Sequence, residues 1–179
     1  MKEKILICGN GPGLPGALKG KRLEKFKIVR VNDWIDVCGN GPCDIWAFFP
    51  YNQIGEQNEV YDFTPYLKNA REIWMPHWGF GIECKRITGR MPNYLITKEQ
   101  TENFHNILGW NHPTSGAVVV YMATLLDAIV YIAGFDFYEG EIAYPNGQPI
   151  KKIVEIDHKP EKEKAWFETE IKKGRIVKL

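Results

Sequence analysis

One stretch, HPTSGAVVVYMATLLDAIVYIAGFDFYEG from His112 to Gly140, constrains the fold of this chain more than any other. The small-residue turn Thr114-Ser115-Gly116 opens an apolar helix that the pattern carries to about Ala128. The strand Ile129–Ala133 follows at once and delivers Gly134-Phe135-Asp136-Phe137-Tyr138 into a glycine-containing loop. The free N–H groups of a helix that starts on small residues can receive an anion. A buried strand ending in Asp-Phe-Tyr sets polar and aromatic side chains at the carboxyl edge of an α/β sheet, where such sheets take ligands.

The rest of the chain supplies further units of the same kind. Residues 4–8, Lys-Ile-Leu-Ile-Cys, read as a strand buried on both faces. Strands follow over 26–31, 44–49 and 72–75, and a last one over 175–179. Between them the sequence predicts a surface helix over 57–70 interrupted by Pro65, a helix over 98–108, and a helix over 161–173 entered through Pro160 and closed by Gly174. Residues 77–96, with Gly79, Gly81, Gly89 and Pro92, read as a long irregular loop. Strands alternating with helices mean right-handed crossovers and a mostly parallel sheet flanked by helices. The expectation is an α/β, Rossmann-like single domain spanning 1–179, with a lid loop over 139–157.

After the first strand, Gly11-Pro12-Gly13-Leu14-Pro15-Gly16 matches G-x-G-x-x-G, and Asp33 stands where a dinucleotide enzyme places its ribose acid. An NAD(P)-dependent oxidoreductase is therefore one reading. Two features oppose it. Pro12 and Pro15 remove backbone donors from the segment that would cradle a pyrophosphate, and the interval to the next strand leaves no room for a full crossover helix. A plain glycine turn is the bland reading.

Charge narrows the partners. The 179 residues carry a net charge of +1, so neither nucleic acid nor an anionic membrane is an implied partner. No apolar run approaches the ~20 residues of a membrane-crossing helix. The four cysteines, Cys8, Cys38, Cys43 and Cys84, lack the pairing of a zinc site, and no structural metal is expected. A cytoplasmic location with reduced thiols is expected, with peripheral attachment at the inner face of the membrane left open.

Four motifs now stand in order: Gly9-Asn10-Gly11-Pro12, Arg30-Val31-Asn32, Thr114-Ser115-Gly116 and Gly134-Phe135-Asp136-Phe137-Tyr138. The set resembles the bacterial sialyltransferases of the Campylobacter lipooligosaccharide type, glycosyltransferase family 42, over nearly the whole chain. The resemblance implies a GT-A-like variant of the Rossmann-like fold and a metal-independent, inverting transfer of sialic acid from CMP-sialic acid to a glycan acceptor. It implies no cofactor, and it suggests homo-oligomers. It also assigns residues. Asn10, Gly11, Pro12, Gly13 and Asn32 would hold the nucleotide; Thr114, Ser115 and Gly116 would meet the donor; Asp136 and Phe137 would line its pocket. Tyr138 and Tyr144 would stabilise the departing phosphate, and His158 would be the general base. Gly13 stands where the family has serine, His112-Pro113 stands where it has an arginine segment, and Asn52 is the nearest match to its third asparagine.

The chemistry stands without the resemblance. Displacing a nucleotide from a sugar's anomeric carbon needs donors aimed at the leaving phosphate and a base for the attacking hydroxyl. Phenols and backbone N–H groups suit the first need, and an imidazole, which exchanges protons near neutral pH, suits the second. Each residue has a plainer use: turn asparagines for Asn10 and Asn32, a helix cap for Ser115, core packing for Tyr138, a surface histidine for His158. His77, His105 and His112 are rival bases, with His112 favoured by its place beside Ser115. A non-catalytic sugar-nucleotide binder is the third reading.

Overall fold

The computed structural model describes residues 2–50, 62–147 and 158–179. Its strands are β1 (Glu3–Cys8), β2 (Lys27–Val31), β3 (Ile45–Ala47), β4 (Glu72–Met75), β5 (Tyr94–Leu95), β6 (Ala128–Ala133) and β7 (Ile176–Lys178). They form a seven-stranded sheet in the order β5-β4-β3-β2-β1-β6-β7. Every pairing is parallel, so the α/β, Rossmann-like expectation holds and "mostly parallel" becomes wholly parallel.

This order positions the site. From β1 the chain steps outward through β2, β3 and β4 to β5, then returns to lay β6 along the other side of β1, in register from Glu3↔Ala128 to Cys8↔Ala133. Strands β1 and β6 therefore flank a topological switch point, and the crevice beyond their carboxyl ends is where open α/β sheets bind ligands. The glycine loop after β1 and the Gly134–Tyr138 segment after β6 meet there.

Burial follows the period-two alternation of strands. Ile5 and Ile7 of β1 face a core shared with α5 (Lys98–Leu108), α6 (Ser115–Thr124) and α7 (Pro160–Lys172). Leu6 and Cys8 face the opposite side, against Leu14 of the short α1 (Leu14–Leu18) and Phe26. A third cluster lies beside β3 and β4, where Trp46 stacks on Phe48 at 3.9 Å and on Tyr66 at 4.8 Å. All four core residues of β1, Ile5 to Cys8, are fully buried, as befits a strand covered on both faces.

Several boundaries differ from the expected ones. The helix opened by Thr114 stops at Thr124, not near Ala128. Leu125 N–H and Leu126 N–H bond to the carbonyls of Met122 (3.2 Å) and Ala123 (3.1 Å), three residues back, which tightens and ends the last turn. Residues 77–96 are no irregular loop. They hold a 3-10 turn (Trp78–Phe80), helix α4 (Gly81–Thr88) and strand β5. Gly89, at φ 72°, is the left-handed cap of α4, so a glycine that reads as loop punctuation ends a helix. The five-residue α2 (Trp34–Cys38) was not legible as a helix. In α3 (Thr64–Asn69), Pro65 sits in the first turn, where its missing N–H costs nothing, rather than interrupting the helix. Residues 57–61 of that expected helix lie outside the described residues, as do Asn52 and residues 148–157 of the lid. Among the described residues no helix is long and apolar enough to cross a membrane.

Candidate functional site

The glycine loop is shaped by the end of β6. Gly9 N–H bonds to Ala133 O at 2.8 Å, Gly11 N–H to Gly134 O at 2.9 Å, and Gly13 N–H to the Asp136 carboxylate at 2.9 Å. The approach is so close that a Cβ on Gly9 would lie 2.4 Å from Gly134 O, and one on Gly11 2.2 Å from Asp136 Oδ2. A Cβ on Gly16, by contrast, would meet nothing within 4 Å. In a dinucleotide fold the third glycine is needed for tight packing of helix on strand. Here that need is absent, α1 is only five residues long, and the first two glycines serve contact with β6. The match to G-x-G-x-x-G thus has an internal cause and gives no support to a dinucleotide site. Gly9→Ala should lower stability by about 3 kcal/mol, because its clash is with backbone that cannot swing away. Gly16→Ala should leave stability unchanged or slightly higher; thermal denaturation of the two variants checks both.

Both asparagines are held by the sheet ends. Asn10 Nδ2 donates to Val31 O at 2.9 Å, and the Cys38 thiol points at Asn10 Oδ1 from 3.6 Å. Asn32 adopts φ 51°, a left-handed conformation asparagine tolerates better than most residues. Its Oδ1 accepts from Phe49 N–H at 3.1 Å and its carbonyl accepts from Trp46 Nε1 at 2.8 Å. Among the described residues no hydrogen bond takes up Asn32 Nδ2.

Across the crevice, the first turn of α7 braces the start of α6. Glu163, only 5% exposed, accepts from Thr114 N–H at 2.6 Å and from Thr114 Oγ1 at 2.8 Å. Thr114 Oγ1 in turn caps α6 by accepting from Ala117 N–H at 3.2 Å. Since Val118 N–H closes the first α-helical bond on Thr114 O (3.1 Å), the N–H groups of Ser115 and Gly116 are the helix donors left over at the crevice. Lys162 Nζ holds Gly109 O at 2.6 Å, and Lys159 Nζ lies 3.9 Å from the Trp110 ring centroid. His158 Nδ1 lies 3.2 Å from His112 O. A carbonyl can only accept, so Nδ1 carries the proton and the lone pair falls on Nε2. His112 itself is exposed, and its backbone carbonyl is the acceptor that orients His158.

The segment after β6 completes the wall. Phe137 (φ 51°) and Tyr138 (φ 57°) are successive left-handed residues without glycine's freedom. Such backbone costs about 1–3 kcal/mol per residue and persists only where its surroundings enforce it. The turn drives Phe137 onto Phe167, with ring centroids 5.1 Å apart. Burial pushes the Tyr138 phenol well above the ordinary tyrosine value, with smaller contributions from Tyr144 and Glu163. Burial likewise pushes Tyr144 up to about 12, helped by Asp33 and Cys38. Both phenols are therefore neutral O–H donors at physiological pH.

These residues border the crevice. Cys38 Sγ lies 3.6 Å from Asn10 Oδ1 and Glu163 holds Thr114, while electrostatic coupling links Tyr144 with Cys38, Tyr138 with Tyr144 and Glu163, and Glu163 with His158. Of the residues singled out from the sequence, Asn10, Thr114, Tyr138, Tyr144 and His158 belong to this set. Gly11, Gly13 and Asp136 are occupied with one another, Pro12 rides on the same loop, and Asn32 borders the β2–β3 side. Glu163 was missed. Its partner lies 49 residues away, and in the sequence it is one acidic residue among several at a helix start. Burial raises its carboxyl pKa, while Thr114 and His158 pull the other way. A raised folded-state value means that ionised Glu163 costs stability as pH climbs out of the ordinary glutamate range. Glu163→Gln should therefore match the parent protein in Tm at acid pH and equal or exceed it at pH 8, measured by calorimetry across that range. Among the described residues no three His, Cys, Asp or Glu side chains group as metal ligands.

No protein-family model matches the chain, and no curated protein sequence does. Solved structures do. The sialyltransferase CstII from Campylobacter jejuni, in complex with the substrate analogue cytidine-5'-monophosphate, superposes with a TM-score of 0.66 at 20% identity, covering 100% of this chain and 80% of that one. The monofunctional alpha-2,3-sialyltransferase Cst-I from the same organism gives 0.63 at 22% identity, over 99% and 76% of the two chains. The chain has the sialyltransferase fold. A mammalian sialyltransferase shares that fold more distantly, at a TM-score of 0.55 and 12% identity over 99% of this chain and 69% of the other.

Proposed function

We propose that the protein is a glycosyltransferase that moves sialic acid from CMP-sialic acid to a sugar hydroxyl, with inversion and without a divalent cation. The observation that supports this reading is that Asn10, the start of α6 and the Gly134–Tyr138 segment meet at the β1/β6 switch point, with the imidazole of His158 tied to His112 O beside the start of α6. Two sialyltransferases with this fold are CstII, seen with cytidine-5'-monophosphate and, in another structure, with a trisaccharide acceptor and CMP, and Cst-I. In the proposed complex, the nucleotide lies over Asn10 and Asn32 with its phosphate facing the Tyr138 and Tyr144 hydroxyls. The N–H groups of Ser115 and Gly116 meet the donor at the start of α6. As the glycosidic C–O bond breaks, charge grows on the departing phosphate, and fixed phenol and backbone donors stabilise it without reorganising. His158 Nε2 takes the proton of the attacking acceptor hydroxyl. Gly11, Pro12, Gly13, Asp136 and Phe137 shape the floor of the pocket.

The test is CMP release from CMP-sialic acid in the presence of a galactoside acceptor, with and without EDTA. Equal release in both is expected. Release abolished by EDTA would overturn metal independence, and CMP binding without release from any acceptor would make the protein a binder.

A further inference from the structure

Behind Asn10 lies a buried positive charge that the site residues above do not use. Arg30 of β2 is 5% exposed, and its Nε has no hydrogen-bond partner. Among the described residues no carboxylate forms an ion pair with it. Its guanidinium sits 4.7 Å over the ring of Trp34, whose own Nε1, fully buried, also lacks an acceptor. Three thiols are among its neighbours. Burial raises the pKa of Cys8, of Cys38 to about 11 and of Cys43 to about 12, so they stay protonated and leave the arginine's charge uncancelled. A buried charge with no counter-ion is costly, and proteins seldom keep one without a compensating partner.

Geometry says which side the partner enters from. Arg30 pairs in register with Cys8, the residue before Gly9-Asn10, and the carbonyl of the next residue, Val31, holds the Asn10 side chain at 2.9 Å. Cys38, which interacts with Arg30, also points its thiol at Asn10 Oδ1. Asn10 and Cys38 thus link the strand that carries Arg30 to the crevice. We infer that Arg30 is the fixed counter-charge for the phosphate of a nucleotide bound against Asn10, acting through the wall without touching the ligand. This rests on the nucleotide-donor reading above and adds to it an electrostatic positioning residue outside the pocket. The low-dielectric path between the charges keeps the attraction strong.

Binding of CMP and of cytidine, which share the nucleoside and differ in the phosphate, tests it by calorimetry on Arg30→Met, Arg30→Lys and the parent protein. In Arg30→Met, CMP affinity should fall roughly tenfold or more while cytidine affinity stays within about twofold. The Tm of Arg30→Met should hold or rise, since an unpaired buried charge has been removed. Arg30→Lys, which keeps the charge, should retain most of the CMP affinity. Equal loss for CMP and cytidine, no loss for either, or a lysine variant as weak as the methionine one overturns the inference. A parent protein that binds neither ligand overturns the nucleotide-donor reading and this inference with it.

Discussion

His158→Ala should abolish transfer while leaving the donor bound. The expected fall in turnover is about 10³, within the range of a lost general base, against a change in CMP affinity of no more than about threefold. The split follows from where the residue sits. His158 precedes α7 and its Nδ1 is tied to His112 O at 3.2 Å, so the ring is oriented by backbone and presents Nε2 outward. Nothing in that arrangement ties the imidazole to the nucleotide wall of Asn10 and Asn32. Added imidazole should return part of the lost rate in the alanine variant, a rescue that a purely structural histidine would not show. Turnover within a few-fold of the parent would return His158 to the surface.

What the sequence showed, and what it hid, divides by the range of the interactions. Strand β1 was legible because Ile5, Leu6, Ile7 and Cys8 are apolar on both faces, a pattern local to the strand itself. Helix α5 was legible because its ends are written in adjacent residues: Thr97 and Gln100 form a capping box, and Gly109 closes it at φ 59°. Helix α4 was hidden because its glycines, read singly, mean loop. The positive φ angles of Phe137 and Tyr138 run against the preferences of both residue types, and only the fold around them enforces such a turn. The Glu163–Thr114 pair and the isolation of Arg30 are tertiary facts that no periodicity carries. The crevice at the β1/β6 switch point was therefore foreshadowed by motifs, while Glu163 and Arg30 stand out only in the three-dimensional arrangement.

The second large effect belongs to the two tyrosines. Tyr138→Phe and Tyr144→Phe should each slow transfer by about 10²–10³, the usual cost of losing one donor to a developing oxyanion. Affinity for CMP-sialic acid should change far less, because the hydroxyls strengthen their bonds only as charge accumulates on the phosphate. Burial raises the pH range over which these phenols remain donors. Their pKa values rise, by burial first, from an ordinary value of 10 to about 12 for Tyr144, and Tyr138 rises further. The folded state thus prefers the neutral phenol, and the associated stability is fully present below the ordinary value and is lost as pH climbs through the raised one. A difference titration of phenolate absorbance between the parent and Tyr144→Phe should accordingly show no ionisation of that residue at pH 10, where a solvent-exposed tyrosine would be half ionised. A midpoint near 10 would mean the hydroxyl faces bulk water and would remove it from the leaving-group wall. Because the strained Phe137-Tyr138 turn aims the Tyr138 side chain, Phe137→Ala is the companion variant: it frees the turn from Phe167, leaves the Tyr138 hydroxyl present, and should lower the rate through misplacement alone.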